Sequence, residues 1–213
     1  MLKPLEDLMT QAMVWLYGVT GSYAAAIVLL TVAIRVLIAP LYMVQMKSMK
    51  KMQEIQPEMR RLQEKYKKDP ERLNREMVEL YRKNRVNPLS GCLPLLIQLP
   101  FLWAIFRVLY NFPYEGTPTL FGLIRLNEKD PTYVLPLLSG VATFAQSWLS
   151  GAAADPNQRA MLYIMPVLIA WFATQYPAGL ALYWLVTTLL SIGQQWIYPG
   201  FQPRGPKREA AAR

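Results

Sequence analysis

The sequence predicts an all-α polytopic membrane protein, with five transmembrane helices and a cytoplasmic two-helix hairpin. Three observations carry this. The chain of 213 residues is 53% hydrophobic and only 17% charged, against about 25% charged in soluble domains. Its apolar residues gather into five runs of roughly 17–21 residues, close to the ~20 that a helix needs to cross the hydrocarbon layer. Its basic residues are concentrated between and after these runs on one expected side.

The elements follow in order. Residues 1–19 place Leu5, Leu8, Met9, Ala12 and Leu16 at helical spacing beside Lys3, Glu6 and Asp7, the pattern of an amphipathic helix lying in the interface. The alternative is a frayed start to the first span. A cleavable signal would show a basic start, a short apolar run and a small-residue cleavage site instead. The first span, 20–43, contains the run Tyr23 to Met43, broken only by Arg35. The hairpin covers 44–87. The second span, 88–112, contains Gln98 and Arg107. An extracytoplasmic loop, 113–131, holds Pro113, Gly116, Pro118, Asp130 and Pro131. The third span is 132–149, and a cytoplasmic loop, 150–159, contains Asp155 and Pro156. The fourth span is 160–176. Pro177, Ala178 and Gly179 turn the chain into the fifth, 177–198, and a basic cytoplasmic tail, 199–213, follows.

Within the hairpin, Met46, Met49, Met52, Ile55, Met59, Leu62 and Tyr66 recur at steps of three or four and form one apolar stripe. Asp69 is placed to cap a second helix and Pro70 suits its first position. Leu73, Met77, Leu80 and Tyr81 make the second stripe. Pro57 is expected to kink the first helix or start it afresh.

Orientation follows from the basic residues. Thirteen of the 23 lysines and arginines lie in 44–87. With Arg159, Arg204, Lys207, Arg208 and Arg213 they place 18 on one side, against Lys3, Arg125 and Lys129 on the other. The positive-inside rule then puts the N-terminus out and the C-terminus in the cytoplasm, a parity that five crossings satisfy.

The composition also excludes chemistry. Histidine is absent and Cys92 is the single cysteine, so there is no ordinary general base, no internal disulfide and no zinc set. No glycine-rich phosphate loop occurs. No metal, cofactor or enzymatic activity is expected. The net charge of +9 favours anionic partners, lipid headgroups or nucleic acid.

Arg35 lies about eight residues inside its run, roughly 12 Å deep at 1.5 Å per residue. An arginine at helix centre costs on the order of 3 kcal/mol to insert. None of the five runs contains an acidic residue. Two readings stand: a cationic site in a water-filled cavity, or an arginine that snorkels to the headgroups. Thr31 is one turn away on the same face. Gln98, Thr143, Gln146, Gln175 and Trp184 are polar groups of other spans; if they converge they build a hydrophilic groove, and otherwise they pack helices. Arg107, near the outer end of its span, reads as snorkelling. Met46, Met49, Met52, Met59 and Met77 of the hairpin suit promiscuous apolar contact, or simply zip its two helices together.

Several stretches resemble the YidC family of membrane protein insertases. These are Thr31 to Leu41 around Arg35, Met52 to Met59 with Glu79-Leu80-Tyr81, Val86 to Pro100, and Pro177 to Trp184. The resemblance runs in order from about residue 17 to 200. It implies a five-helix core around a hydrophilic groove open to cytoplasm and lipid, lined by Arg35, Gln98 and Trp184 with Thr31 near it. Implied partners are nascent membrane proteins, the ribosome, the Sec translocon as an optional partner, and anionic lipids, with no small-molecule substrate; the implied location is a bacterial plasma membrane. The extra N-terminal helix and large periplasmic domain of Gram-negative members, and the lipidated cysteine of many Gram-positive ones, are not seen in these residues. Two other classes compete: a small transporter or channel with Arg35 as anion site, and a scaffold that holds partner helices without inserting them. Against the transporter, the spans show no internal repeat.

The basic asymmetry yields a direct prediction. In a Cys92→Ser background, Gly116→Cys and Lys67→Cys should react with impermeant thiol reagents from opposite sides of the membrane. Reaction of both from outside would overturn the orientation.

Overall fold

Gly21 sets the first boundary. It adopts φ 66°, which glycine reaches without a Cβ penalty, and its N–H closes on the Tyr17 carbonyl at 2.7 Å. This ends α1 (Lys3–Thr20) and lets α2 (Tyr23–Lys65) begin. The helices α3 (Pro70–Lys83), α4 (Leu93–Asn111), α5 (Val134–Leu149), α6 (Pro156–Gln175) and α7 (Ala178–Ile197) follow, with short strands β1 (Thr119–Leu120) and β2 (Ile124–Arg125) between α4 and α5. The computed structural model describes residues 3–84, 86, 93–114, 116–150 and 156–197. The expected basic tail, residues 151–155 of the 150–159 loop and the 87–92 part of the motif before the second span lie outside them. The chain divides into two compact units, Met1–Ile38 with Leu99–Arg213, and Ala39–Gln98.

In the larger unit a core forms from α1, α2, α4, α5, α6 and α7, with Met13, Ile27, Ile105, Leu135, Ala173 and Tyr183 buried in it. α1 buries Met9 and Met13 while Trp15 and Val19 stay exposed. Its Glu6 meets Arg107 of α4 at 3.7 Å, so this arginine has a carboxylate beside it. At the α1–α2 turn Tyr17 and Tyr23 stack at 3.9 Å, and Phe112 and Tyr114 pack edge-on to Tyr23. Between α5 and α6 the backbones come close. A Cβ on Gly140 would sit 3.1 Å from both Ala170 Cβ and the Pro166 carbonyl oxygen, which is why a small residue serves there.

The stretch expected as plain loop contains an antiparallel ribbon, Thr119 opposite Arg125 and Leu120 opposite Ile124. Strands of two residues are too short to show an alternating pattern in sequence. The ribbon's exit caps α7. Leu126 is fully buried, and the carbonyls of Glu128 and Leu126 accept from the amides of Ala178 and Gly179 at 2.7 and 2.9 Å. Two of the N–H groups that a helix start leaves without an intrahelical partner are thereby satisfied.

Asp130 organises the start of α5. It is 4% exposed. Its carboxylate accepts from Thr132 N at 2.9 Å, Thr132 Oγ1 at 2.6 Å and Leu135 N at 2.8 Å. Tyr133 between them is held at φ 57°. Burial alone would raise the Asp130 carboxyl. The hydrogen bonds from the Thr132 hydroxyl and from the Leu135, Thr132 and Tyr133 amides outweigh it and hold the group below its ordinary value.

In the smaller unit, Ile55 and Met59 of α2 pack on Leu80 of α3 and on Val86, with Met52, Leu62, Met77 and Tyr81 against them. Asp69 caps α3 by accepting from Arg72 N at 3.0 Å, and Pro70 opens the helix. Of the two outcomes expected at Pro57, a kink or a fresh start, the fresh start does not occur: α2 runs through both Pro40 and Pro57. A proline removes one backbone hydrogen bond, but Ile55 and Met59 on either side of Pro57 are both buried in the cluster and hold the helical path.

One segment among the described residues, Tyr23–Val44, is long and apolar enough to cross a membrane unaided, and Val134–Leu149 and Ala160–Gln175 are apolar but shorter.

The Asp130 geometry predicts a pH-dependent cost. Its folded carboxyl titrates below the unfolded one. Its stabilising contribution is therefore complete above the unfolded value of about 3.9 and is lost as pH falls through the folded value. Asp130→Asn should lower stability by about 1–2 kcal/mol at pH 7. Thermal unfolding in detergent should show the gap closing below about pH 4; a pH-independent gap would show that the charge is not what matters.

Candidate functional site

The sequence of α7 carries polar residues at Trp184, Thr187, Thr188, Ser191 and Gln195. These spacings of three and four put them on one side of the helix. Thr187, Thr188, Ser191 and Gln195 are all buried. Shielded from bulk water, such groups call for partners inside the protein.

Arg35 supplies one set. It is 8% exposed, and its Nη2 donates to the Thr187 carbonyl at 2.8 Å and to Ser191 Oγ at 2.5 Å. Ser191 Oγ donates in turn to the Thr187 carbonyl at 2.9 Å. Nη2 of the arginine is thus held sideways by a carbonyl and a hydroxyl oxygen of α7.

α5 supplies the second set. Trp184 Nε1 donates to Thr143 Oγ1 at 3.2 Å, Thr143 Oγ1 donates to the Ser139 carbonyl at 2.7 Å, and Ser139 Oγ donates to the Ala181 carbonyl at 3.3 Å. At the far end Gln195 Nε2 donates to Ser150 Oγ at 3.1 Å. Thr187 Oγ1 and Gln195 Oε1 are buried and take no hydrogen bond among the described residues, so the track retains unused polar capacity.

Of the residues singled out from sequence, Arg35, Trp184 and Thr143 are tied to α7 or are part of it. Thr31 is buried one turn from Arg35, but its hydroxyl is turned back onto the Ile27 carbonyl at 2.6 Å. Gln146 is half-buried on α5, and its carbonyl accepts from both the amide and the hydroxyl of Ser150. Gln175 is exposed and bonds to Thr174 Oγ1. Gln98 is half-buried in the smaller unit. Met52, Met59 and Met77 belong to the apolar cluster of that unit, Met46 is buried, and the Met49 side chain lies outside what is described. Ser139, Thr187, Thr188, Ser191 and Gln195 were missed. Their helical spacing on an otherwise apolar run is the signal that could have found them.

A second feature adjoins Trp184. Leu99, Trp103 and Phe106 of α4, Leu168 and Phe172 of α6, and the ring of Trp184 line an almost wholly apolar cavity of about 410 Å³. Trp184 therefore has one edge in the polar track and its ring in an apolar groove.

An apolar helical bundle with an arginine held inside it and a polar track along one helix defines a helical integral membrane protein. The profile of the family described as 60Kd inner membrane protein matches residues 15–203, and the chain belongs to that family. A protein named membrane protein insertase YidC from Wolinella succinogenes is 41% identical over 93% of this chain and 37% of its own. One of the same name from Francisella tularensis subsp. novicida is 40% identical over 92% of this chain and 36% of its own. The chain thus spans little more than a third of these relatives. A solved structure, described as an active YidC insertase with the first transmembrane domain resolved, matches with TM-score 0.72 and 28% identity over 91% of this chain and 46% of that one.

The Arg35 contact predicts non-additivity. Ser191→Ala should cost about 1–2 kcal/mol of stability, because the hydroxyl both accepts from a charged donor and caps a carbonyl. In an Arg35→Ala background the same change should cost clearly less. Equal losses in thermal unfolding of the two backgrounds would show that the contact contributes nothing.

Proposed function

We propose that this chain is the membrane-embedded core of an insertase, which takes nascent membrane proteins into the bilayer and works without enzymatic chemistry. The observation that carries the reading is Arg35. It is a cation buried in an apolar bundle, hydrogen-bonded to neutral oxygens, in a chain whose apolar runs contain no acidic residue. A charge retained at such cost is a functional site by default.

The physical task of an insertase is to move a short polar segment across hydrocarbon. A polar track and a positive charge partway in shorten that path. Arg35 attracts an acidic residue of the translocated tail, Thr31, Gln98, Thr143, Gln146 and Trp184 line the groove, and the apolar part of the substrate leaves along the groove beside Trp184. Burial in lipid at roughly 25 cal/mol per Å² drives the last step. α5, at 16 residues, is only about 24 Å long. A bilayer of ~30 Å hydrocarbon accommodates such a helix by thinning, and that also shortens the crossing.

On this reading five helices span a bacterial plasma membrane, 20–43, 88–112, 132–149, 160–176 and 177–198, with 1–19 at the outer interface. Residues 44–87 and the basic tail face the cytoplasm, where the hairpin, with Met46, Met49, Met52, Met59 and Met77, meets the ribosome, anionic headgroups or the emerging chain. Insertion proceeds alone or with the Sec translocon.

The test is insertion of two matched single-span substrates, one with an acidic translocated tail and one neutral, into liposomes holding this protein. Arg35→Ala should reduce insertion of the acidic substrate about tenfold, equivalent to ~1.4 kcal/mol, and spare the neutral one. Arg35→Lys should retain most activity, because attraction to a mobile carboxylate needs no bidentate geometry and a point charge suffices. Arg35→Glu should be worse than alanine on the acidic tail. Wild-type activity of Arg35→Ala on the acidic substrate would end the electrostatic mechanism.

A further inference from the structure

The ribbon between α4 and α5 presents an apolar tip. Phe121 and Gly122 take φ values of 52° and 72°, and the Leu123 amide closes the turn on the Leu120 carbonyl at 3.1 Å. A left-handed phenylalanine is uncommon and costs on the order of 1 kcal/mol or more, so a folded chain keeps it only where the surroundings impose it. The result is outward display. Phe121 is 91% exposed and Leu123 80%, and Phe121 is the most exposed large hydrophobic residue among those described.

The ribbon cannot relieve this by turning inward. Ile124 and Leu126, which follow the tip, are already buried. Leu126 N donates to the Pro118 carbonyl at 2.8 Å, and the Leu126 and Glu128 carbonyls cap the first two residues of α7. The base of the ribbon is therefore tied to the start of α7, and the tip projects from there. On the reading that α7 spans the bilayer, this is the extracytoplasmic interface. Exposed Arg125 and Glu128 pair beside it at 3.0 Å, a charged collar suited to the headgroup layer.

We infer that Phe121 and Leu123 insert into the outer-leaflet lipid interface, so that the ribbon is a membrane anchor for the extracytoplasmic end of α7. Two side chains offer on the order of 300 Å² of apolar surface, well short of the ~1,000 Å² that a specific protein interface needs, but ample for a wedge at the headgroup–acyl boundary. The occupant is continuous with the lipid that bathes the spanning helices, and no separate partner is required. The inference rests on the spanning assignment of α7, and the experiment separates the two.

In a Cys92→Ser background, Leu123→Cys, Lys129→Cys and Leu189→Cys are each labelled with an environment-sensitive fluorophore in phosphatidylcholine–phosphatidylglycerol vesicles. Leu189 is the exposed mid-helix reference on α7. The Leu123 label should emit to the blue of the Lys129 label, lose intensity to a quencher near the top of the acyl chain, and resist aqueous iodide; the Leu189 label should respond to a deep acyl quencher. A Leu123 label as open to iodide as the Lys129 one, or shielded from both lipid and aqueous quenchers by protein, overturns the anchor while Leu189 still reports a spanning helix. A Leu189 label that no lipid quencher reaches overturns the spanning assignment and the anchor with it.

Discussion

A guanidinium inside an apolar bundle must find oxygen acceptors, and the larger unit is arranged around that requirement. Arg35 reaches α7, where the Thr187 carbonyl and the Ser191 hydroxyl take it. Those two acceptors lie one helical turn apart, and the serine also closes on the threonine carbonyl. One face of α7 is therefore polar over several turns. That face in turn needs donors and acceptors from α5, which Ser139 and Thr143 provide. The charge on one helix thus dictates the composition of a second and the pairing of a third.

This arrangement sets two kinds of surface side by side. Trp184 donates from its indole nitrogen into the polar track while its ring lines the apolar groove formed with α4 and α6. An amphipathic ring is well suited to such a boundary, since indole combines a large apolar body with one obligatory donor. A polypeptide with an apolar stretch and a polar tail presents the same two chemistries in succession, and the site offers a complement to each.

The connection between α4 and α5 solves a different problem. α5 begins at the 116–133 connection and α7 begins against it, and both starts need their amides satisfied. Backbone carbonyls of Leu126 and Glu128 serve α7. The carboxylate of Asp130 serves α5, held ionised by the amides that it accepts. Close approach at Gly140 and Gly179 then lets helices and loop pack without intervening side chains.

Much of this was legible in the sequence. Apolar periodicity and length predicted helices, basic asymmetry gave an expected orientation, and Arg35, deep in an apolar run without acidic residues, marked the candidate site. The Asp69–Pro70 cap was readable because capping is local chemistry between residues three apart. The partners of Arg35 were not readable, since Thr187 and Ser191 lie 152 and 156 residues away and helical spacing says which residues share a face but not what that face meets. The same reason hid the ion pair of Arg107 with Glu6, the seat of Leu126 beneath α7, and the ribbon itself, whose strands are too short to leave a pattern. Pro57 reads in sequence as a kink or a fresh helix start, and α2 runs through it with Ile55 and Met59 buried on either side. Local propensity and hydrophobic pattern determined the class of protein and its elements. Only tertiary packing, which chooses the rotation of each helix against its neighbours, decided which polar groups meet inside it.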